Sequence, residues 1–320
     1  MRFRPEEALF LHTTDCNLTC AHCHFERKKD VLPIKQALKF VSDCRKHGIK
    51  KIGFTGGEPF MAPRFMYAVI RHAVKEGMLF DRIMTNGVWF NNTRHLTMTL
   101  GALQNAGYDG SICISVDAFH NQNIDKVAHF IKAASAMAGR CDLVSITYTR
   151  GHKDGRTAAI LQKLARILNA RIIKVARSYP CIKNKDLFIR IYTTELSPVG
   201  KAGRLKKGWA DRWFKEDYCK GPGNILFVLS NGDVKPCCGY ASELPELTIG
   251  NIKKDSVSKL IKNASRNRFV SAVFTKGLTG IRKELERSGI IFPGKAPEHC
   301  FFCYHILTKV PKSILCKALA

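Results

Sequence analysis

Short apolar runs alternate with longer amphipathic stretches along the first part of the chain. Residues 8–14 (ALFLHTT) read as a strand, and residues 33–48 carry apolar positions at helical spacing and stop at Gly48. The pair recurs as strand 50–55 with helix 64–77, strand 80–86 with helix 93–107, strand 111–117 with helix 124–139, and strand 142–148 with helix 156–170. Residues 171–178 (RIIKVARS) open a sixth unit. Apolar strands separated by amphipathic helices predict βαβ units and a parallel sheet. About six such units suit an open, barrel-like sheet better than a closed ring of eight. In either arrangement the C-terminal ends of the strands face the functional site.

The alternation stops after Gly203. Residues 224–238 (NILFVLSNGDVKPCC) predict two short strands joined by Asn231-Gly232, a dipeptide that fits the tight turn of a hairpin. A second, smaller domain is therefore expected over 205–320, after a first over 1–204. A chain of 320 residues has room for both.

Composition changes the picture in two places. Thirteen cysteines are many for a chain without a secretory N-terminus or an apolar run of membrane-spanning length. A cytoplasmic location is expected, and there clustered cysteines point to metal or redox chemistry rather than disulfides. Cys44, Cys113, Cys141, Cys181 and Cys316 are scattered and are expected to have no part in that chemistry. The net charge of +26 favours an acidic partner, whether peptide, nucleic acid or membrane surface. Trp209 and Trp213 lie among bases in residues 201–220, a mixture that can stack nucleobases. A helix with a solvated basic face and two buried tryptophans is the expectation preferred here.

The chemistry concentrates in residues 12–27 (HTTDCNLTCAHCHFER), where Cys16, Cys20 and Cys23 follow the first strand with CxxxCxxC spacing. Three thiolates leave a tetrahedral site one ligand short. A zinc ion completed by His22 or His24 satisfies the spacing, and so does a [4Fe–4S] cluster with one open iron. The discriminating stretch is residues 53–59 (GFTGGEP), at the end of the second strand. Paired glycines admit close approach of a ligand, and Glu58 can accept hydrogen bonds from an ammonium group.

With CxxxCxxC after strand one and Gly-Gly-Glu after strand two, the chain resembles the radical S-adenosylmethionine (SAM) enzymes over roughly residues 8–200. Residues 84–87 (MTNG) and 114–120 (ISVDAFH) resemble the third and fourth strand ends of that family, whereas His22 stands where an aromatic residue is frequent. The resemblance implies an α/β partial (β/α)6 barrel and a [4Fe–4S] cluster on Cys16, Cys20 and Cys23, with the methionyl group of SAM as the missing ligand. It implies that Gly56, Gly57 and Glu58 hold the methionyl amine. Asn86, Ser115 and Asp117 are candidates for its carboxylate and ribose, and for Ser115 and Asp117 a capping or turn role competes.

The second cysteine group is Cys219, Cys237 and Cys238 around the hairpin, and Cys300 and Cys303 in residues 298–305 (EHCFFCYH). A structural four-thiolate zinc site fits these residues. The segment also resembles the auxiliary-cluster domains called SPASM or twitch. That implies a second [4Fe–4S] cluster on Cys219, Cys237, Cys300 and Cys303. Neighbouring side chains of an extended segment point in opposite directions, so one of Cys237 and Cys238 is spare, with Cys237 taken as the ligand and Cys238 as the candidate hydrogen-atom donor. The pairing resembles peptide epimerases, which implies L-to-D inversion in a ribosomally made precursor peptide. The implied partners are that peptide, acidic to suit the basic chain, and an electron donor such as flavodoxin or ferredoxin. Thioether or carbon–carbon crosslinking of a peptide, RNA modification, and a non-catalytic zinc-bound interaction protein are the alternatives.

Overall fold

The computed structural model describes residues 3–151, 155–174, 179–205, 208–214 and 224–320. Five strand–helix pairs follow one another: β1 (Glu7–Leu11) and α1 (Ile34–Lys46), β2 (Lys51–Thr55) and α2 (Pro63–Lys75), β3 (Leu79–Thr85) and α3 (Thr93–Asn105), β4 (Ser111–Ser115) and α4 (Ile124–Ala138), β5 (Val144–Arg150) and α5 (Gly155–Ile167). Each helix forms where the periodicity predicts it. In α1 the buried residues are Ala37, Phe40, Val41 and Cys44, the one-sided stripe of a helix laid on a sheet. Asn92 and Asn123 cap α3 and α4 by accepting the backbone N–H groups of His95 and Lys126.

The sixth unit departs from expectation. Residues 171–173 form β6 (Arg171–Ile173), which pairs antiparallel with β7 (Cys181–Lys183), and β7 pairs antiparallel with β8 (Phe188–Glu195). It is β8 that lies parallel to β5 as the sixth strand. Burial explains the difference: Ile189 and Ile191 are buried in β8, whereas Arg171 and Ile172 are exposed on the edge strand. Residues 175–178 of the predicted strand lie outside the described residues.

The C-terminal part contributes β9 (Ile225–Val228), β10 (Asp233–Lys235) and β11 (Gly250–Asn251), then α6 (Val257–Arg266), α7 (Arg268–Thr275), α8 (Gly277–Arg287), α9 (His299–Lys309) and α10 (Lys312–Ala318). The expected hairpin is present. Gly232 at its turn has φ +93° and donates its N–H to the Leu229 carbonyl. The hairpin does not stand apart, because β9 pairs parallel with β1. One open sheet results, in the order β11-β10-β9-β1-β2-β3-β4-β5-β8-β7-β6. Among the described residues no helix is long and apolar enough to cross a membrane.

Phe10 of β1 packs against Phe40, Phe54 and Phe65, at ring-centroid distances of 6.0, 6.2 and 5.8 Å. Burying each such ring contributes roughly 1.5–3 kcal/mol. Cys44, Cys113 and Cys181 are buried core residues, whereas Cys141 and Cys316 are exposed. Trp209 and Trp213 pack against Phe292, with Trp213 also against Phe302 and under Arg282, whose guanidinium sits 4.5 Å from the ring. Their packing role is the observed one. The expected helix around them is absent among the described residues 208–214.

Candidate active site

Parallel strands in register bring their C-terminal ends to one edge: Leu11 lies beside Thr55, and Thr85 beside Ile114. The chain leaving β1 carries Cys16, Cys20 and Cys23, and the chain leaving β2 carries Gly56 and Gly57. Both loops line a cavity of ≈ 260 Å³, together with Asn86 and Ser115 from the ends of β3 and β4. Burial and then the neighbouring thiols Cys16 and Cys23 push the Cys20 thiol up to about 12. Burial raises Cys16 as well. Burial thus opposes ionisation of Cys16 and Cys20, and a polynuclear cation bound by their thiolates would offset that penalty.

The two glycines serve a closer neighbour than a ligand. A Cβ on Gly57 would lie 2.2 Å from the Asp15 carbonyl oxygen, and one on Gly56 would lie 2.5 Å from that of Thr13. Gly57 N–H donates to the Thr13 carbonyl and Glu58 N–H to that of Asp15, so the second loop is laced to the root of the cysteine loop.

Glu58 departs from its expected place. It is fully buried and does not line the cavity. Its Oε1 accepts from Phe60 N–H at 3.1 Å and from the Thr85 hydroxyl at 2.9 Å, and its Oε2 from Asn86 N–H at 2.7 Å. Burial pushes its carboxyl up to about 7, against the pull of those three hydrogen bonds. These bonds tie the ends of β2 and β3 together.

Asp117 is likewise engaged inside the protein. Its Oδ1 accepts from the backbone N–H groups of Phe119 and His120 and lies 2.7 Å from His120 Nδ1, while its Oδ2 accepts from Thr149 N–H. The turn role is the observed one, and Asp117 does not line the cavity. Burial alone would raise its carboxyl, but the bond and charge of His120, then His22 and Thr149, hold it below the usual range. Asn86 donates from Nδ2 to Asn17 Oδ1 at 2.8 Å and sits 3.9 Å from Cys16 Sγ.

The histidines proposed as zinc ligands have other neighbours. The His22 ring packs on Phe119 and His120, and its Nδ1 is buried without a hydrogen-bond partner. His24 Nε2 lies 3.6 Å from Glu243 Oε1, and its ring stands edge-on to Tyr240 at 5.1 Å. Burial pushes both imidazoles down to about 4.

Three residues at the site carry no assignment from sequence. Gln122 donates to the carbonyls of Asn86 and Ser115 and bridges β3 to β4. His120 lines the cavity within a stretch quoted above for other reasons. Tyr240, from just beyond the hairpin, lines it from the C-terminal side. Only tertiary contact reveals Tyr240; no motif marks it.

Residues 10–139 match the Radical SAM superfamily, and residues 219–285 match the SPASM iron–sulfur cluster-binding domain. The chain carries a radical SAM domain followed by a SPASM domain. The radical SAM domain brings SAM and a [4Fe–4S] cluster, and the SPASM domain brings further iron–sulfur ligation. Convergence of three thiols on one cavity fits the first cluster. Among curated proteins, the chain is 28% identical over 303 residues to a GTP 3',8-cyclase of Limosilactobacillus fermentum, covering 88% of this chain and 81% of that one. Among solved structures, the fold is similar to Streptococcus suis SuiB bound to precursor peptide SuiA, with TM-score 0.61, 13% identity, and coverage of 85% of this chain and 67% of that one. It is also similar to anSMEcpe with bound AdoMet and Cp18Cys peptide, with TM-score 0.58, 14% identity, and coverage of 98% and 99%.

In the SPASM domain, Cys237 is buried and Cys238 exposed, as expected of neighbours facing opposite ways. Cys300 and Cys303 sit three apart on α9, on one helical face. An ideal Cβ on Gly239 would lie 3.0 Å from Cys300 Sγ, so the end of the hairpin and the start of α9 are brought together. Cys219 lies outside the described residues. Cys238 does not line the radical SAM cavity; from the same turn, Tyr240 does. Lys235, 3% exposed, donates from Nζ to the Leu244 carbonyl and the Thr248 hydroxyl and pins the turn that carries Tyr240.

Proposed function

We propose that this radical SAM enzyme abstracts hydrogen from a ribosomally made peptide. Residues 1–204 would form the radical unit and 205–320 the auxiliary-cluster unit. Cys16, Cys20 and Cys23 would hold the first cluster, with Gly56, Gly57, Asn86 and Ser115 around the methionyl and ribose groups. Cys219, Cys237, Cys300 and Cys303 would hold a second [4Fe–4S] cluster. When bound, the cluster and SAM supply a 5′-deoxyadenosyl radical. The chain's own residues would position these groups, with Glu58 and Gln122 fixing the strand ends. The observation that carries this reading is the cavity itself, where three thiols, the strand-end groups and Tyr240 of the second unit converge. The likeness of the fold to SuiB and anSMEcpe supports a peptide, and the charge of +26 supports an acidic one, in the cytoplasm, with flavodoxin or ferredoxin as electron source.

Two outcomes fit a peptide substrate. L-to-D inversion draws support from the exposed thiol of Cys238, and crosslinking removes two hydrogens instead. Product mass separates them: inversion leaves it unchanged and crosslinking lowers it by about two units. A second reading rests on the 28% identity to GTP 3',8-cyclase, which favours a nucleotide. Anaerobic reconstitution with iron and sulfide, followed by SAM and a reductant, tests both readings. GTP-dependent formation of a new nucleotide product would favour the second and displace the peptide.

A further inference from the structure

Past the sixth parallel strand the sheet continues by two antiparallel strands, β7 and β6. Thr149 of β5 lines the cavity, and its hydroxyl lies 3.4 Å from that of Thr194 on β8. Alternation along β8 then puts Tyr192, Arg190 and Phe188 on the face that continues from the cavity. Ile189 and Ile191 are buried on the other face. Residues directly opposite in an antiparallel pair share a face, so Lys183, opposite Phe188, and Arg171, opposite Lys183, extend the same face across β7 and β6. The Phe188 ring agrees with this: the Lys183 ammonium is 5.9 Å and the Arg190 guanidinium 5.2 Å from its centre.

This face is open and of one sign. Arg171, Lys183, Arg190 and Thr194 are exposed, and Tyr179, packed on Tyr192 at 4.7 Å, is 56% exposed. Glu195 is the one carboxylate in β5 to β8; it alternates to the opposite face and pairs with Arg150 there. The aromatic rings already have cover, Phe188 from two cations and Tyr192 from Tyr179, so the face offers a partner positive charge more than stacking surface.

We propose that the face formed by Arg190, Lys183 and Arg171 docks an acidic segment of the peptide whose other part enters the cavity. This rests on the peptide reading given above. Thr194 is four residues from Arg190 and six from Phe188, roughly 13 and 20 Å along an extended strand. A bound peptide that is itself extended therefore carries its acidic residues about four to six positions from the residue attacked. One exposed ion pair holds little, so recognition depends on the three cations together.

The probe is fluorescein-labelled hexaglutamate, titrated by anisotropy into the cluster-loaded full chain with SAM. Removing all three charges, in Arg171→Gln, Lys183→Gln, Arg190→Gln, is expected to weaken binding at least tenfold. The same number removed elsewhere on the exposed surface, in Lys39→Gln, Lys46→Gln, Lys253→Gln, is expected to change it less than twofold. A second measurement needs no variant: saturating hexaglutamate is expected to slow phenylglyoxal labelling of Arg171 and Arg190 at least threefold, read by peptide mass spectrometry. Equal weakening in both triple variants, or arginines labelled at the same rate with and without the probe, overturns the proposal. So does tighter binding of hexathymidylate at the same three residues, which would make the face a nucleic-acid surface. Docking as expected with no 5′-deoxyadenosine from the loaded wild type overturns the radical reading and not the docking face. Normal 5′-deoxyadenosine with no docking overturns the docking face alone.

Discussion

Glu58 accepts three hydrogen bonds in full burial, and the physical consequence is stability. Removing the acceptor strands two backbone N–H groups and a hydroxyl. Glu58→Ala is therefore expected to cost about 2–4 kcal/mol in chemical denaturation. Unchanged stability with weakened SAM binding would restore the direct contact instead. Glu7, at the start of β1, is governed by burial in the same way. Burial first and the charge of Asp81 second push its carboxyl from 4.5 to about 7, against Arg82 and Lys51. A raised carboxyl means that the native state holds the proton more tightly than the unfolded chain. Its contribution to stability is thus present below pH 4.5 and lost as pH rises through about 7. Glu7→Gln is expected to be more stable than wild type at pH 8 by roughly 1–3 kcal/mol, with the gap closing toward acid pH in pH-resolved melts.

Among the elements, the loops at the strand ends repay the closest reading. A methyl group at Gly57 would meet the Asp15 carbonyl at 2.2 Å, which backbone cannot accommodate without moving the cysteine loop. Gly57→Ala is expected to lose most of the iron of the first cluster, and retention of wild-type iron would show the two loops to be independent. In the SPASM domain, Cys237→Ala is expected to lose about four irons and Cys238→Ala none. The reverse pattern would exchange their roles. An inversion chemistry would further require solvent deuterium in the product. The first five strand–helix pairs were legible because their apolar periods are strong and local. The sixth strand was not, because β8 and the edge strands β6 and β7 are set by which apolar residues find cover, and RIIKVARS and DLFIRIYTTE differ little in pattern. The cysteine spacing marked the site directly. The internal hydrogen bonds of Glu58 and Asp117 were not legible, because a motif names residue types without saying where their oxygens point.

Across the whole molecule, the C-terminal unit is joined to the first by more than sequence. Its β9 extends the main sheet beside β1, Ser230 donates to Asp30 in the loop that follows the cysteines, and Tyr240 reaches the cavity. These contacts link residues far apart in the chain, so composition could suggest two units and not their union. The charge of +26 is a property of this scale too, favouring acidic partners without locating them. Everything proposed for the reaction and its outcome depends on radical formation at one cavity. The measurement that bears on it most directly is 5′-deoxyadenosine formed by the anaerobically reconstituted chain with SAM and dithionite, comparing wild type with Cys20→Ala. The wild type is expected to form it and Cys20→Ala to stay at background. Wild-type yield from Cys20→Ala, or none from an iron-loaded wild type, would contradict the account.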